Sequence, residues 1–385
     1  MKVIETSGLP IKSWCHDPEE GALEQARHIA ALPFAYHHIA LMPDTHQGYG
    51  MPIGGVLAMV NTIIPNAVGV DIGCGMLACQ TTWREITQEE VKEIMGHVRG
   101  RIPLGFQHRS TAQELFSPPK NAPIAGGEYE KARYQVGTLG GGNHFIEIQR
   151  GSDGHIWFMV HSGSRNLGKQ VCDHYNGLAR KLNKKAGSAV PPQWDLAYFS
   201  TNTEEGRQYI AEMDYCQAFA AENRRVMGEE ILGAFAEVRG MSLGDVAVRT
   251  VNIHHNYAQL EQHFGKDVWV HRKGATSARA GEAGIIPGSQ GTKSYIVTGL
   301  GNTESFCSCS HGAGRRMGRK EAQRTLSLAE EKRRMDERGI VHGLRSAKDL
   351  DEAAGAYKDI DLVMAEQRDL VDIAVELTPL GVIKA

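Results

Sequence analysis

The sequence predicts an α+β fold: a single large domain, residues 1–385, with mixed sheets and peripheral helices. Three observations lead there. Apolar runs broken by glycine and proline fill roughly the first 80 residues and return at 250–312, as strands and turns require. Helical spacing of apolar residues marks 204–239. No linker divides the chain, and its polar motifs are spread from residue 71 to 311, so one site has to draw on distant segments.

Bulk properties agree. At 385 residues with 41% apolar content, the chain can bury a sizeable core. A charged fraction of 23% excludes wholesale disorder. The net charge of −3 gives no whole-chain sign of nucleic-acid binding, so such a site has to be a local patch. The 44 glycines sit in short loops rather than in a repeat, which suits backbone that approaches a ligand closely. The seven cysteines are odd in number and scattered, which argues against a disulfide framework and for a reducing compartment. The N-terminus MKVIETSGLPIKSW lacks the apolar core of a signal peptide. No apolar run approaches the ~20 residues that span a bilayer. A cytoplasmic location with no membrane partner is expected.

Taken in order, IALMPDTHQGYGMPIGGVLAMV and AVGVDIGCGM read as strands and turns. Thr87-Gln88-Glu89-Glu90 is a capping box that opens a helix to about Gly100. Residues 105–127, with Pro118, Pro119 and Pro123, read as a loop. A glycine-rich turn near 137–149 leads into the strand FIEI, and WFMV at 157–160 is another strand, followed by HSGSRNLG and a helix. Ile210, Met213, Phe219, Met227, Ile231 and Phe235 mark one long helix or a hairpin of two. Residues 319–337 are charged and helical. Ile360, Val363, Met364, Val371 and Ala374 suggest a last helix stopped by Pro379, before the short apolar terminus GVIKA.

Chemistry-bearing motifs follow the same order. Asp71 and Cys74, at the expected end of a strand, lie three residues apart in a glycine-permitted turn and could face one cation. For this motif alone, an Asp capping a turn and a buried Cys is the simpler reading. His144, His161 and His255 at strand ends add a plausible metal set. A thiolate with imidazoles suits zinc, so the residues themselves leave the metal open. The helix start at Ser162-Gly163-Ser164-Arg165 is an anion-site candidate. IIPGSQGTKS fails the P-loop pattern because Thr292 rather than Lys293 follows Gly291. LGGGNH and HGAGRRMG miss the dinucleotide fingerprint, and plain tight turns explain each of these loops equally well. His311, in a small-residue turn followed by Arg315 and Arg316, could attack phosphorus, or it is a turn histidine with incidental arginines. Cys307 and Cys309, expected on one face of a strand, read as packing.

DIGCGM, GTLGGGNHFIEI, HSGSR, HHNY, RKGATSARAG, GIIPGSQGTKS and SFCSCSHGAGR resemble, in order, the signature segments of the RtcB family of tRNA-splicing and RNA-repair ligases. The resemblance runs from about residue 35 to 320, and YKDIDLVM and the terminal GVIK extend it. It implies an RtcB-like fold and, position by position, two Mn²⁺ ions held by Asp71, Cys74, His144, His161 and His255, with the Cys74 thiolate bridging them. It makes His311 the guanylylated nucleophile. It implies a GTP or guanylate site formed by Asn143, His144, Phe145, Ile146, Glu147, His255, Asn256, Pro287, Gly288, Ser289, Gln290, Ser294, His311, Gly312, Ala313, Gly314 and Lys384. The substrates implied are RNA with a 3′-phosphate or 2′,3′-cyclic phosphate end and RNA with a 5′-hydroxyl end, and an archease-like activating protein is an expected partner. Arg165 and Arg279 are candidates for RNA phosphate contacts, alongside solvated or structural roles. The 105–127 loop corresponds to none of these signature segments and falls where members of the family differ.

Two rival functions use part of this chemistry. A metal-dependent phosphoesterase would need the same ligands without the His311 nucleophile. A non-catalytic RNA-binding module would need neither. A lysine-nucleotidyl ligase is disfavoured because the chain has no KxDG motif.

Overall fold

The computed structural model describes residues 1–385, and its architecture is α+β with mixed sheets. A seven-stranded antiparallel sheet runs in the order Ala247–His254, Gly75–Thr81, Ile156–Ser162, Phe145–Gly151, Val371–Ile383, Ser294–Gly299, Ala283–Ile286. A six-stranded sheet runs Lys2–Ile4, Ile11–Ser13, Ala35–His46, Ile53–Met59, Lys266–Lys273, Asn256–His263. Its one parallel pairing joins Ile11–Ser13 to Ala35–His46. His255 is the single residue between the outer strands of the two sheets, so it stands at their junction.

The helix Gln88–Arg101 begins as its capping box requires. Thr87 Oγ1 accepts from the Glu90 N–H at 3.2 Å, and Glu90 Oε2 accepts from the Thr87 N–H at 2.8 Å. The 204–239 segment is one helix, Glu204–Arg239, capped by Thr203 and ended by Gly240 in the left-handed region. Its Met227, Ile231 and Phe235 are buried in the core shared with Leu77, Phe158 and Val160 of the large sheet. One turn of this helix also positions three loops. Asn223 Oδ1 accepts from the N–H groups of Gly137 and Thr138 at 2.7 and 3.0 Å, and its Nδ2 donates to the Gly163 carbonyl at 3.1 Å. The fully buried Arg224 donates to the carbonyls of Gly73 and Ser162 at 3.0 and 2.8 Å. Buried carbonyls need donors, and here a guanidinium supplies two at once.

Several expectations change. The last helix is only Ile360–Ala365; Val371 and Ala374 lie on the strand Val371–Ile383. Pro379 stops nothing: it sits inside that strand at a register shift against Phe145–Gly151, where a residue lacking an N–H is tolerated. A short apolar run has no decisive periodicity, and pairing on both sides made this one a strand. The 105–127 loop ends earlier, because the helix Pro123–Gln135 starts with proline at its first position. Residues 319–337 form two helices, Arg319–Thr325 and Leu328–Glu337, with Ser327 capping the second. The DIGCG turn precedes its strand rather than ending one, since Gly75 opens Gly75–Thr81. Cys307 stands outside the strand Ser308–Ser310, at φ +49°, so it shares no face with Cys309.

Candidate active site

Five donors from four segments meet at the end of the large sheet. Asp71 and Cys74 come from the loop before Gly75–Thr81, His144 from the residue before Phe145–Gly151, His161 from Ile156–Ser162, and His255 from the sheet junction. Cys74 Sγ lies 3.5 Å from His144 Nε2 and 3.3 Å from His161 Nε2. His144 Nε2 is 3.1 Å from Asp71 Oδ2, and His161 Nε2 is 3.4 Å from His255 Nε2. The donors fall into two overlapping triads, Asp71–Cys74–His144 and Cys74–His161–His255, with Cys74 common to both.

The hydrogen bonds around the triads decide what those atoms can do. His144 Nδ1 donates to the Leu139 carbonyl at 2.9 Å and His161 Nδ1 to the Asn143 carbonyl at 3.0 Å. Each proton is thereby placed on Nδ1, and each Nε2 carries a lone pair. Burial holds His161 and His255 well below the usual imidazole range, so both are neutral. Lone pairs that converge on one sulfur suit a shared cation, which would draw that sulfur to its thiolate form. Burial raises the Cys74 thiol well above its ordinary value, and the Asp71 charge adds to this; a bound cation inverts that preference. Burial alone would raise Asp71, but the neighbouring His144 and the Cys74 thiol hold it below the usual range. Gly163 is needed at this wall: a Cβ there would come within 2.2 Å of Asp71 Oδ1.

A cavity opens beside the cluster. Asn143, Phe145, Glu147, Pro287, Gly288, Ser289, Gln290, Gly312, Ala313, Gly314 and Lys384 line it, and His161, His255 and His311 face it from the side of the donor cluster. Of the expected guanylate contacts, His144 belongs to the donor cluster and does not line the cavity, and Ile146, Asn256 and Ser294 stand behind the wall. Ile146 is in the core. Asn256 donates to the Asp71 carbonyl at 3.2 Å and accepts from the Gly274 N–H at 2.8 Å. Ser294 Oγ accepts from the Gly288 N–H at 3.1 Å and so shapes the 287–290 loop. Arg165 turns inward, with Nε on Thr138 Oγ1 and Nη2 on the Gly105 carbonyl, both at 2.9 Å. Arg279 is half-exposed beside Glu261, at a separate groove.

His311 faces a carboxylate that the sequence reading missed. Its Nδ1 lies 2.6 Å from Oδ2 of the fully buried Asp44, and that oxygen also accepts from the N–H groups of His311 and Gly312 at 3.1 and 3.2 Å. Burial would raise the Asp44 carboxyl, but the charge and hydrogen bond of His311, with His46 and Lys358, hold it below its ordinary value. Gly314, at φ +74°, lets the turn reach Asp44: a Cβ would meet the Asp44 carbonyl at 2.2 Å. The His311 ring packs edge-on to His255, with centroids 4.9 Å apart, so the cavity and the donor cluster share a wall. Glu352, also missed, pairs with Arg315 and Arg319 at 3.1 and 3.0 Å on the opposite rim. An aspartate inside the apolar run IALMPDTH was the signal for Asp44. Glu352 had none.

Burial raises the Glu147 carboxyl to about 8, only partly opposed by a hydrogen bond from Gln149, so it keeps its proton at neutral pH. Burial lowers the Lys384 ammonium, against the pull of Glu352 and Asp351.

The family model described as tRNA-splicing ligase RtcB matches residues 25–122 and 116–385. An RNA-splicing ligase RtcB of Escherichia coli (strain K12) is 40% identical over 412 aligned residues, covering 100% of this chain and 99% of that protein. A tRNA-splicing ligase RtcB of Thermococcus kodakarensis is 32% identical, over 95% of this chain and 91% of that protein. An RNA-splicing ligase RtcB of Mycobacterium tuberculosis is 30% identical, over 94% of this chain and 100% of that protein.

Proposed function

The chain belongs to the RtcB family of RNA-splicing ligases, and from that premise we propose that it seals an RNA 3′-phosphate or 2′,3′-cyclic phosphate end to a 5′-hydroxyl end through a GTP-derived guanylate on His311. The observation that carries this reading is the placement of His311: its Nδ1 is held against Asp44, and its ring stands in the wall common to the cavity and the donor cluster.

Asp44 accepts from the Nδ1–H and so leaves the lone pair on Nε2, the atom that attacks. His311 Nε2 bonds to the α-phosphorus of GTP while the bond to the β-phosphate oxygen breaks and pyrophosphate leaves. An oxygen of the RNA 3′-phosphate then takes the guanylate and frees the imidazole; water has first opened any cyclic phosphate to that end. Finally the 5′-hydroxyl oxygen attacks the 3′-phosphorus, losing its proton, and GMP leaves. Two divalent cations, in this reading Mn²⁺, fit the two triads and would offset the phosphate charge gathered at these steps. The chain's own part is positional. The Gly312–Gly314 turn admits the triphosphate, and the 287–290 loop, Phe145 and Asn143 enclose the nucleoside. Glu147, keeping its proton, offers one donor and one acceptor to a base edge. A cytoplasmic setting and an archease-like activating partner belong to the same proposal.

Incubation with labelled GTP and Mn²⁺ tests it. A protein label that is acid-labile and base-stable is the expected result. Hydrolysis of cyclic phosphates by a protein that never labels would favour a phosphoesterase instead.

A further inference from the structure

Phe106 is fully exposed, and the turn that carries it is fixed at both ends. Gly105 donates its N–H to the Gly140 carbonyl at 3.0 Å and accepts from Arg165 Nη2 at 2.9 Å. The Gln107 N–H closes the turn on the Leu104 carbonyl at 3.1 Å. Arg109 then pins the outgoing segment. Its N–H donates to the Tyr134 carbonyl at 2.9 Å, its Nε and Nη2 to the carbonyls of Val136 and Gly137 at 3.1 and 3.2 Å, and it pairs with Glu230. Two arginines thus hold a phenyl ring out into water, although an aromatic side chain gains by leaving it.

The ring's location indicates what it meets. The glycine loop bonded to Gly105 carries Asn143 and His144, so the turn borders both the cavity and the donor cluster. The C-terminal Ala385, next to Lys384 of the cavity wall, approaches Gly105 from the other side. The arginines around the turn are paired, Arg109 with Glu230, Arg133 with Glu130 and Arg319 with Glu352, and Lys384 lies in the cavity wall. At the turn itself the surface offers a flat apolar ring. Such a ring stacks on any base, which suits an enzyme that receives unpaired ends of varied sequence.

We propose that Phe106 is a stacking platform for a base of the RNA strand entering the site, with Arg165 as the residue that positions it through Gly105. This rests on the ligase reading and names a substrate contact for it. The test is binding of a fluorescent single-stranded oligoribonucleotide with a 3′-phosphate to wild type, Phe106→Ala and Phe106→Trp. Loss of one base–aromatic stack should weaken binding by about tenfold in Phe106→Ala. Phe106→Trp should bind as wild type or tighter. Melting temperatures should stay close to wild type, because the side chain buries nothing. Equal affinity of Phe106→Ala and wild type overturns the proposal, as does a defect seen only when an activating protein is added, which would make the ring a protein contact. Should wild type fail to label from GTP while Phe106→Ala still loses RNA affinity, the platform stands and the ligase reading is what fails.

Discussion

His311 Nδ1 lies 2.6 Å from Asp44 Oδ2, although the two residues are 267 positions apart. The contact selects the imidazole tautomer and, through two backbone N–H groups, holds the turn that bears the ring. Asp44→Asn keeps the shape but loses the charge. Label transfer from GTP should fall by at least about 10²-fold, as the wrong tautomer costs in other His–carboxylate pairs. His311→Ala should abolish labelling while metal content stays at the wild-type level, since His311 belongs to neither triad. An unchanged labelling rate in Asp44→Asn would refute the role given to the carboxylate.

Metal content should follow the triads. Cys74 is common to both, so Cys74→Ala should lose both ions, whereas His144→Ala and His255→Ala should each lose one. Elemental analysis after dialysis reads this directly. Retention of two ions by Cys74→Ala would exclude a bridging thiolate. Chelation should also lower the melting temperature, because it leaves buried lone pairs facing one another.

Glu147 makes stability depend on pH. Its folded value of about 8 lies above its ordinary 4.5. The fold therefore favours the protonated form: the contribution is fully present below about 4.5 and is lost as pH rises through about 8. Melting temperature should fall between about pH 5 and pH 8 in wild type, and Glu147→Gln should flatten that slope. Equal slopes in the two proteins would show that the carboxyl is ionised throughout.

The fully buried Arg272 pairs with Glu261 and also donates to Ser308 Oγ and the Phe306 carbonyl, both at 2.9 Å. It thereby braces Phe306 and Cys307, two successive non-glycine residues in the left-handed region directly before the strand Ser308–Ser310, which leads to His311. Arg272→Met takes from the buried Glu261 carboxylate its only fully buried cation and should cost about 3–5 kcal/mol in denaturant unfolding. Replacing both partners, Arg272→Met with Glu261→Leu, should cost less than the single change. A larger cost for the double variant would show that Glu261 acts mainly through His263 and Arg279.

Local signals carried part of the fold. The capping box at Thr87 and the 3.6-residue stripe in 204–239 are short-range devices, and both helices formed where those signals lie. Val371–Ala374 misled because four residues cannot distinguish a helix turn from a strand, and the strands on either side of it in space made the choice. Pro379 misled for the same reason: a register shift, invisible in sequence, left its missing N–H without cost.

For the site, the sequence by itself determined which side chains are equipped for the chemistry. Imidazoles, a thiol and a carboxylate stand beside glycines that permit tight turns, and those are properties of residue type and immediate neighbours. Only the tertiary structure decided which of them meet. It put Cys74 within reach of His144, His161 and His255, gave His311 a partner in Asp44, set Glu352 against Arg315 and Arg319, and turned Arg165 inward to hold the Phe106 turn. Those choices depend on the register of two sheets and on one helix turn, Asn223–Arg224, that ties three loops together. Hydrogen bonds between segments far apart in the chain have no sequence period, so only packing reveals them.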